Sequence, residues 1–441
     1  MPDLARSHAV VIGAGMAGLS AAQAISRHFG KVTIIERDVL PAEAAPRSGT
    51  PQCQHGHMLL AGGLQALQTL FPGFEKDLAE AGAVKVRTGK DIRFERPGFD
   101  PFPIRDLGLD IFSMSRPLLE AVTRRRVQQT PNINVCERSR ATGLVASRDA
   151  TRIEAVRYDS QSGGAATLKA ELVVEASGRC GLTLQLLEAL SLQKPEETEI
   201  GIDQAYASTI VERPTDHNAD WLGNIILPSA PTSSLGAFLF PIEKQRWLLS
   251  VGGNHGDAPP GDRAGFMDFV RSLRTPTIYD AVRDARPLTD IVRYRLPCSI
   301  RRHFERLESF PAGLLAIGDA LCRFNPVFGQ GMSVAAQEAV ILDRLLTDNV
   351  PMERLARDFF AAIQDTIATP WGVAVSDFVY PATRGVPPVD LAQRLQYGMA
   401  LTRLAAQDPE VHRLTAEVSQ LLKPQTALRE PALVARVMSL M

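Results

Sequence analysis

The sequence predicts an α/β protein: a doubly wound parallel-sheet domain, interrupted by an antiparallel-sheet insertion and followed by a run of C-terminal helices. Three observations predict it. Residues 8–36 read as strand, glycine turn, helix and strand; two apolar runs far downstream, 171–175 (ELVVE) and 314–317 (LLAI), end at small residues; and between them residues 200–256 alternate apolar and polar positions.

In the first unit, residues 8–12 (HAVVI) form a buried strand, 13–18 (GAGMAG) a turn, 19–29 an alanine-rich helix and 32–36 (VTIIE) a second strand. The helix has to cross the sheet, so the strands run parallel. The runs at 171–175 and 314–317 add strands to the same sheet, which makes the domain discontinuous in sequence. Residues 204–211 and 237–252 alternate as antiparallel strands do, with turns at 228–231 (PSAP) and 243–246 (EKQR). From Met332 the pattern is helical, with helices expected over 334–347, 352–367, 389–406 and 408–422, separated by prolines. The expected division is 1–65, 109–190 and 291–348 for the parallel-sheet domain, 66–108 and 191–290 for a substrate domain, and 349–441 for the helical region.

A chain of 441 residues exceeds the roughly 250–300 at which one core stops growing, so at least two packed units are expected. Its 45% hydrophobic and 22% charged residues are those of an ordinary globular protein. With 48 Lys and Arg against 49 acids, no basic surplus exists for nucleic acid. The clusters Arg124, Arg125, Arg126 and Arg301, Arg302, His303 read as solvated faces. Five scattered cysteines (Cys53, Cys136, Cys180, Cys298, Cys322), none in a C-x-x-C pair, read as small buried hydrophobes in a reducing compartment. The start MPDLARSHAVVIGAG enters a strand without the charged and apolar regions of a leader, so a cytoplasmic protein is expected. No run of about 20 lipid-compatible residues occurs, which argues against a membrane span but not against surface association.

The turn GAGMAG is a dinucleotide fingerprint: Gly13 permits the tight turn, Gly15 lets the backbone approach a pyrophosphate, and Gly18 lets helix and strand pack closely. The helix N-terminus then faces the phosphates. Glu36, ending the second strand, is placed to accept hydrogen bonds from a ribose, which favours NAD or FAD over NADP; Arg37 beside it is ambiguous. A second motif, GDALCRFNPVFGQGM at 318–332, sits between a strand and a helix. There a carboxylate at a strand end, Asp319, can accept from hydroxyls, and Gly329 to Gly331 offer backbone donors at a helix N-terminus.

This second motif resembles that of the flavoprotein monooxygenase superfamily. The resemblance implies a Rossmann-like FAD-binding domain in which Gly318 and Asp319 meet the ribityl and phosphate groups, and in which Pro326, Gly329, Gln330, Gly331 and Met332 lie along the isoalloxazine ring. Residues 173–179 (VVEASGR) resemble the superfamily's middle motif, with Ala176-Ser177-Gly178-Arg179 where aromatic hydroxylases usually have Ala-Asp-Gly. The departure points to the branch containing the flavin epoxidases of polyether biosynthesis, which the chain resembles over nearly its whole length. Supporting residues are Pro46-Arg47, Pro51-Gln52, His55-Gly56-His57-Met58-Leu59-Leu60, Ser115-Arg116-Pro117, Pro241-Ile242-Glu243, Gly252-Gly253 and Pro370-Trp371. By the same resemblance Arg47 and Arg116 lie near the FAD, where a guanidinium offers bidentate phosphate bonding. Ser115 and Pro117 also suit a helix start, a role compatible with binding.

His55 and His57, two apart, would share a face on a strand, but no further ligand lies at metal spacing; a structural role or one in substrate orientation or proton transfer is open to each. No Walker loop, nucleophile elbow or His-Glu-x-x-His helix occurs, and the paired-tryptophan motif of flavin halogenases is absent. Trp221, Trp247 and Trp371 read as core or pocket wall. The substrate is expected over the flavin, between residues 190–290 and the helices after 350, against Phe238, Phe240 and Phe328. The resemblance implies epoxidation or hydroxylation of an apolar molecule by O2 through a flavin C4a-hydroperoxide, with electrons from NAD(P)H or a partner flavin reductase. A dehydrogenase or reductase acting on a carbon–carbon bond, and a non-redox cyclase holding FAD, remain as alternatives.

Overall fold

Five parallel strands form the first sheet, in the spatial order Leu314–Ala316, Leu172–Glu175, β1 (Arg6–Ile12), β2 (Phe29–Ile35) and Ile133–Cys136. The chain is described by a computed structural model over residues 6–161, 163–215 and 217–441; residues 1–5, on which the expectation of no leader partly rests, lie outside the described residues. Val10, Val11, Val173, Val174, Leu314 and Leu315 are buried, as strands covered on both faces require. The strand order reverses at β1, so a crevice opens beyond the carboxyl ends of β1 and Leu172–Glu175, where doubly wound sheets hold ligands.

The first helix, α1, spans Met16–Ser26, starting earlier than residue 19 and stopping short of Phe29. Phe29 instead opens β2 with its ring fully buried, and the Asn132 amide closes the turn by donating to the Ser26 and Phe29 carbonyls, each at 2.8 Å. A three-stranded antiparallel sheet not foreseen from the sequence (Ser139–Ala146, Ile153–Ser160, Gly164–Lys169) packs Leu144, Ile153 and Val156 against Val10, Ile12, Val173 and Leu314. It covers the parallel sheet where a crossover helix would otherwise lie.

The second large sheet has seven strands, in the order Cys322–Arg323, Val292–Arg302, Glu197–Glu212, Arg246–Gly253, Gly236–Ile242, Gly223–Ile226 and Ile92–Glu95. All its pairs are antiparallel except the last. Val292–Arg302, expected in the parallel-sheet domain, is hydrogen-bonded along Glu197–Glu212 instead. We propose the division expected from the sequence with this strand moved to the substrate domain.

Alternation gives this sheet two different faces. Ala207, Val211, Ala237, Leu239, Trp247, Leu249 and Val251 pack on Phe266, Val270, Ile278 and Val282 of the helices Arg263–Arg271 and Thr277–Val282. Trp221 and Trp247 stack in this core at 5.9 Å. Tyr206, Ser208, Phe238, Phe240 and Ser250 occupy the opposite face.

The region expected as one helix over 352–367 is two, Met352–Ala362 and Gln364–Ala374, meeting at Ile363, and Pro370 lies inside the second. Further helices are Leu391–Gln407, Pro409–Ser419 and Pro431–Met438. Among the described residues no helix is long and apolar enough to cross a membrane. Three residues of the clusters expected on solvated faces are buried: Arg124 donates to the Pro41 carbonyl, Arg302 to Glu197 at 2.8 Å and to the Ala320 carbonyl at 3.0 Å, and His303 pairs with Thr198 and Glu305. Each joins segments distant in sequence, which a local charge pattern cannot show.

Candidate active site

The glycine turn ends β1 and opens α1 at the crevice. Gly13 has φ +102°, and a Cβ there would come within 2.8 Å of the Ala176 carbonyl oxygen; one on Gly18 would sit 1.9 Å from the Gly13 oxygen. Both glycines are therefore required by the fold itself. Gly15 is different. It adopts φ −75° and ψ 179°, open to any residue, and a Cβ would meet nothing within 4 Å. Gly15 also serves as N-cap of α1 without a side chain to occupy the helix amides. A bare backbone facing open space at a helix N-terminus fits a pyrophosphate, and no contact within the chain accounts for it.

Glu36 is buried and accepts from the Ala14 amide at 2.7 Å and the Asp38 amide at 3.0 Å. Arg47 brackets this corner: its Nε donates to Glu120 at 2.6 Å, Nη1 to Asp38 at 2.9 Å and Nη2 to the Ala14 carbonyl at 3.1 Å, with Glu36 3.5 Å from Nη1. Burial opposes its charge, but the surrounding carboxylates, Glu120 foremost, outweigh that and raise its pKa. Each Arg47 nitrogen already has a partner, so it braces the corner around Glu36 rather than presenting a free fork. Arg37 is exposed.

Arg116 opens the helix Arg116–Gln128 and is buried, its only partner among the described residues being Glu120, 3.4 Å from Nη2. Its Nε is buried with no hydrogen bond, and burial lowers its pKa. Ser115 caps that helix and donates to Glu243 at 2.8 Å, while Glu243 also accepts from the Ser115 amide at 3.0 Å and from Arg246 at 2.7 Å. A carboxylate in the turn between the strands Gly236–Ile242 and Arg246–Gly253 thus fixes the helix end that carries Arg116.

Asp319 follows the strand Leu314–Ala316 in a 3-10 turn, Gly318–Ala320. It lies deep enough that burial raises its pKa against the charges of Arg323, Arg116 and Arg302, yet its side chain keeps accessible surface and has no hydrogen bond or ion pair among the described residues. A deep carboxylate that is both accessible and unpaired lines a hollow. A Cβ on Gly331 would be 3.6 Å from its Oδ1, and one on Gly178, in the middle motif, 3.9 Å from its Cβ. The hollow therefore lies between the middle motif and the N-terminus of the helix Gly331–Thr347, which no side chain caps. In the middle motif Ser177 donates to Glu175 at 2.6 Å, and Arg179 is exposed.

Pro326–Phe328 is a 3-10 turn capped by Asn325, and Gly329 leaves it at φ +66°. The Gln330 Oε1 is buried without a partner, and Met332 packs on the core. Sequence reasoning missed Glu338, which accepts from the Gly318 amide at 2.8 Å beneath this loop; burial and then Asp319 push it up to about 8. A lone acid on an alanine-rich helix face was the available signal. It also missed Asp377, which accepts from Asn325 at 3.1 Å and is pushed up to about 6 by burial.

His55 and His57 follow a 3-10 turn, Pro51–Gln54, rather than lying on a strand, and they serve different neighbours. His55 is buried against the antiparallel sheet, its Nδ1 2.8 Å from the Ser208 hydroxyl and its ring edge-on to Tyr206 at 4.6 Å. Burial lowers it to about 4. His57 lies near Arg116, with Nδ1 donating to the His55 carbonyl at 2.9 Å; burial, then Arg116, lowers it to about 3. A Cβ on Gly56 would lie 3.6 Å from Phe240, and one on Gly329 3.2 Å from the Met58 Cβ. The strip 55–58 thus joins the sheet face to the Pro326–Gly329 turn. Phe238 and Phe240 stack on that face at 5.7 Å, whereas Phe328 makes no ring contact among the described residues.

The parallel sheet, the bare Gly15 turn and the Asp319 hollow define a dinucleotide-dependent redox protein whose second motif suits a flavin. The chain belongs to the FAD binding domain family, whose model matches residues 6–350, and it is an FAD-dependent oxidoreductase of the flavoprotein monooxygenase superfamily. It is 32% identical to Protein Rv3254 of Mycobacterium tuberculosis over 362 residues, 77% of this chain and 73% of that one. It is 25% identical to Squalene epoxidase 1 of Arabidopsis thaliana over 353 residues, 76% of this chain and 59% of that protein. Among solved structures, the flavin-dependent brominase Bmp2 superposes with a TM-score of 0.69 at 15% identity, covering 98% of each chain, a likeness of fold.

Proposed function

We propose that this protein is an FAD-dependent monooxygenase that transfers one oxygen atom from O2 to a hydrophobic small molecule, by epoxidation or hydroxylation. The observation that supports this most is the apolar wall of Phe238 and Phe240, which the strip 55–58 connects to the turn beside the Asp319 hollow. FAD, when bound and reduced, supplies the activation of O2. Gly15 and the α1 amides would hold the pyrophosphate, Glu36 the ribose, and Asp319 and the Gly331 helix end the ribityl chain and ring edge. Arg116 would bring the positive charge of its guanidinium towards a phosphate. Pro326, Gln330 and Met332 would lie along the ring, and Phe238, Phe240 and Phe328 would exclude water from the substrate side.

The branch containing the flavin epoxidases fits the middle motif ASGR and the similarity to a squalene epoxidase. The electron donor in this reading is NAD(P)H or a partner flavin reductase, and five free cysteines fit the cytoplasm as its compartment. The test is turnover of a panel of apolar alkenes and aromatics with chemically reduced FAD. Product formed in step with O2 uptake supports the reading. Anaerobic conversion of a carbon–carbon bond would replace it with the dehydrogenase or reductase, and turnover on permanently oxidised flavin with the cyclase.

A further inference from the structure

The tautomer of His57 is fixed by its surroundings. Its Nδ1 lies 2.9 Å from the His55 carbonyl oxygen, and a carbonyl has no hydrogen to give, so Nδ1 carries the proton. The neutral ring then presents Nε2 as a bare lone pair. Burial, and after it the charge of Arg116, disfavours a second proton on the ring. Nε2 has no partner among the described residues and is not among their enclosed unpartnered atoms, while the side chain keeps accessible surface. His57 therefore aims an acceptor into open space near Arg116, whose own Nε is unpaired. A Cβ on Gly329 would lie 3.2 Å from the Cβ of Met58, the residue after His57, and one on Gly331 3.6 Å from Asp319 Oδ1, so the segment carrying His57 packs on the loop that borders Asp319.

Only a group with a hydrogen to donate satisfies such an acceptor. A phosphate has none at neutral pH and would set lone pair against lone pair. The hydrocarbon part of an apolar substrate has none either. Between the pyrophosphate and the ring of FAD, the donors are the hydroxyls of the ribityl chain, and these are also what Asp319 would take.

We propose that His57 Nε2 accepts a hydrogen bond from one ribityl hydroxyl and so fixes the conformation of the chain between phosphate and ring. This rests on the FAD reading. The complementary pair is a neutral acceptor at His57 and a charged acceptor at Asp319, which can hold two different hydroxyls of one extended polyol. The hydroxyl could instead belong to the substrate, and the test separates the two sources.

The experiment is a fluorescence titration of the apoprotein with FAD and with FAD analogues each lacking one ribityl hydroxyl, for wild type, His57→Phe and His57→Gln. Losing one buried hydrogen bond predicts about five- to tenfold weaker FAD binding by His57→Phe. His57→Gln, whose amide oxygen can still accept, should recover part of that loss. One analogue should bind wild type about as weakly as FAD binds His57→Phe, and that analogue should lose nothing further in the variant. Equal thermal melting of the variants shows that the fold is intact, and His57→Gln carries the test if His57→Phe melts early. Nitrogen-15 histidine spectra of the FAD complex should show His57 protonated at Nδ1 alone from about pH 5 to about pH 8. If every analogue loses the same factor in wild type and variant, His57 does not touch the ribityl chain and the proposal falls. A variant that binds FAD normally but loses substrate affinity would also overturn it, assigning the hydroxyl to the substrate. Failure of wild type to bind FAD at all would remove the FAD reading and this proposal together.

Discussion

Replacing Gly15 with serine should move the stability of the apoprotein and its affinity for FAD in opposite directions. The position has φ −75° and ψ 179°, caps α1 without a side chain, and offers a new Cβ nothing within 4 Å. Removing a glycine from the unfolded ensemble at an unstrained site stabilises by about 0.4–1 kcal/mol. A serine hydroxyl at an N-cap adds a few tenths of a kcal/mol over glycine, roughly. The apoprotein should therefore gain about 0.6–1.4 kcal/mol in urea unfolding. The same Cβ and hydroxyl occupy the space assigned to the pyrophosphate and compete for its amides. Losing one charge-assisted hydrogen bond, about 1.5–3 kcal/mol, predicts roughly 10- to 100-fold weaker FAD binding in a fluorescence titration. Gly18→Ala is the contrast: its Cβ would overlap the Gly13 oxygen, so the fold itself should lose about 1–3 kcal/mol. Refutation would be a Gly15→Ser protein that binds FAD like wild type, or one whose apoprotein is destabilised like Gly18→Ala.

Three further outcomes follow from the same geometry. Asp319→Asn removes a deep, unpaired carboxylate, so the apoprotein should melt no lower at neutral pH while FAD titrations show at least about tenfold weaker binding; early melting would contradict the account. Glu338, raised from 4.5 to about 8, stays protonated in the folded chain after the unfolded chain has lost the proton, so its contribution to apoprotein stability falls across that window, by about 1.4 kcal/mol per pH unit. Urea melts of Glu338→Gln against wild type, from about pH 5 to about pH 8, should show that slope removed, and parallel curves would count against it. Glu243→Ala frees the Ser115 cap and with it Arg116, so FAD binding should weaken by a few-fold, with a loss of about 1 kcal/mol in stability; unchanged FAD affinity at reduced stability would make Glu243 a purely structural group.

Much of this site was legible because its motifs are local. The turn at 13–18, Glu36 and the segment 318–332 each lie within one stretch of chain, and backbone sterics fix what such stretches do. Glycine identity alone, however, did not separate Gly13 and Gly18, demanded by packing, from Gly15, which faces open space. What stayed hidden was what distant segments do to each other. Arg47 looked like a phosphate ligand, but Glu120 and Asp38, 73 and 9 positions away, take up its guanidinium. His55 and His57 looked like a pair on one face; the sheet residue Ser208 claims one and the surroundings of Arg116 the other. Val292–Arg302 takes its partner strand, Glu197–Glu212, from far upstream, a pairing that no local pattern shows. The buried Arg124 and Arg302 show the same limit, since a charge cluster says nothing of the carbonyls waiting across the fold.

The central claim is oxygen transfer by reduced FAD held in the Asp319 hollow to a molecule against the Phe238 and Phe240 wall. Its most direct measurement is mass spectrometry of the product made with reduced FAD under oxygen-18 gas. The account predicts that the product gains one heavy oxygen atom from the gas and none from oxygen-18 water. A product formed with no oxygen from the gas would contradict it.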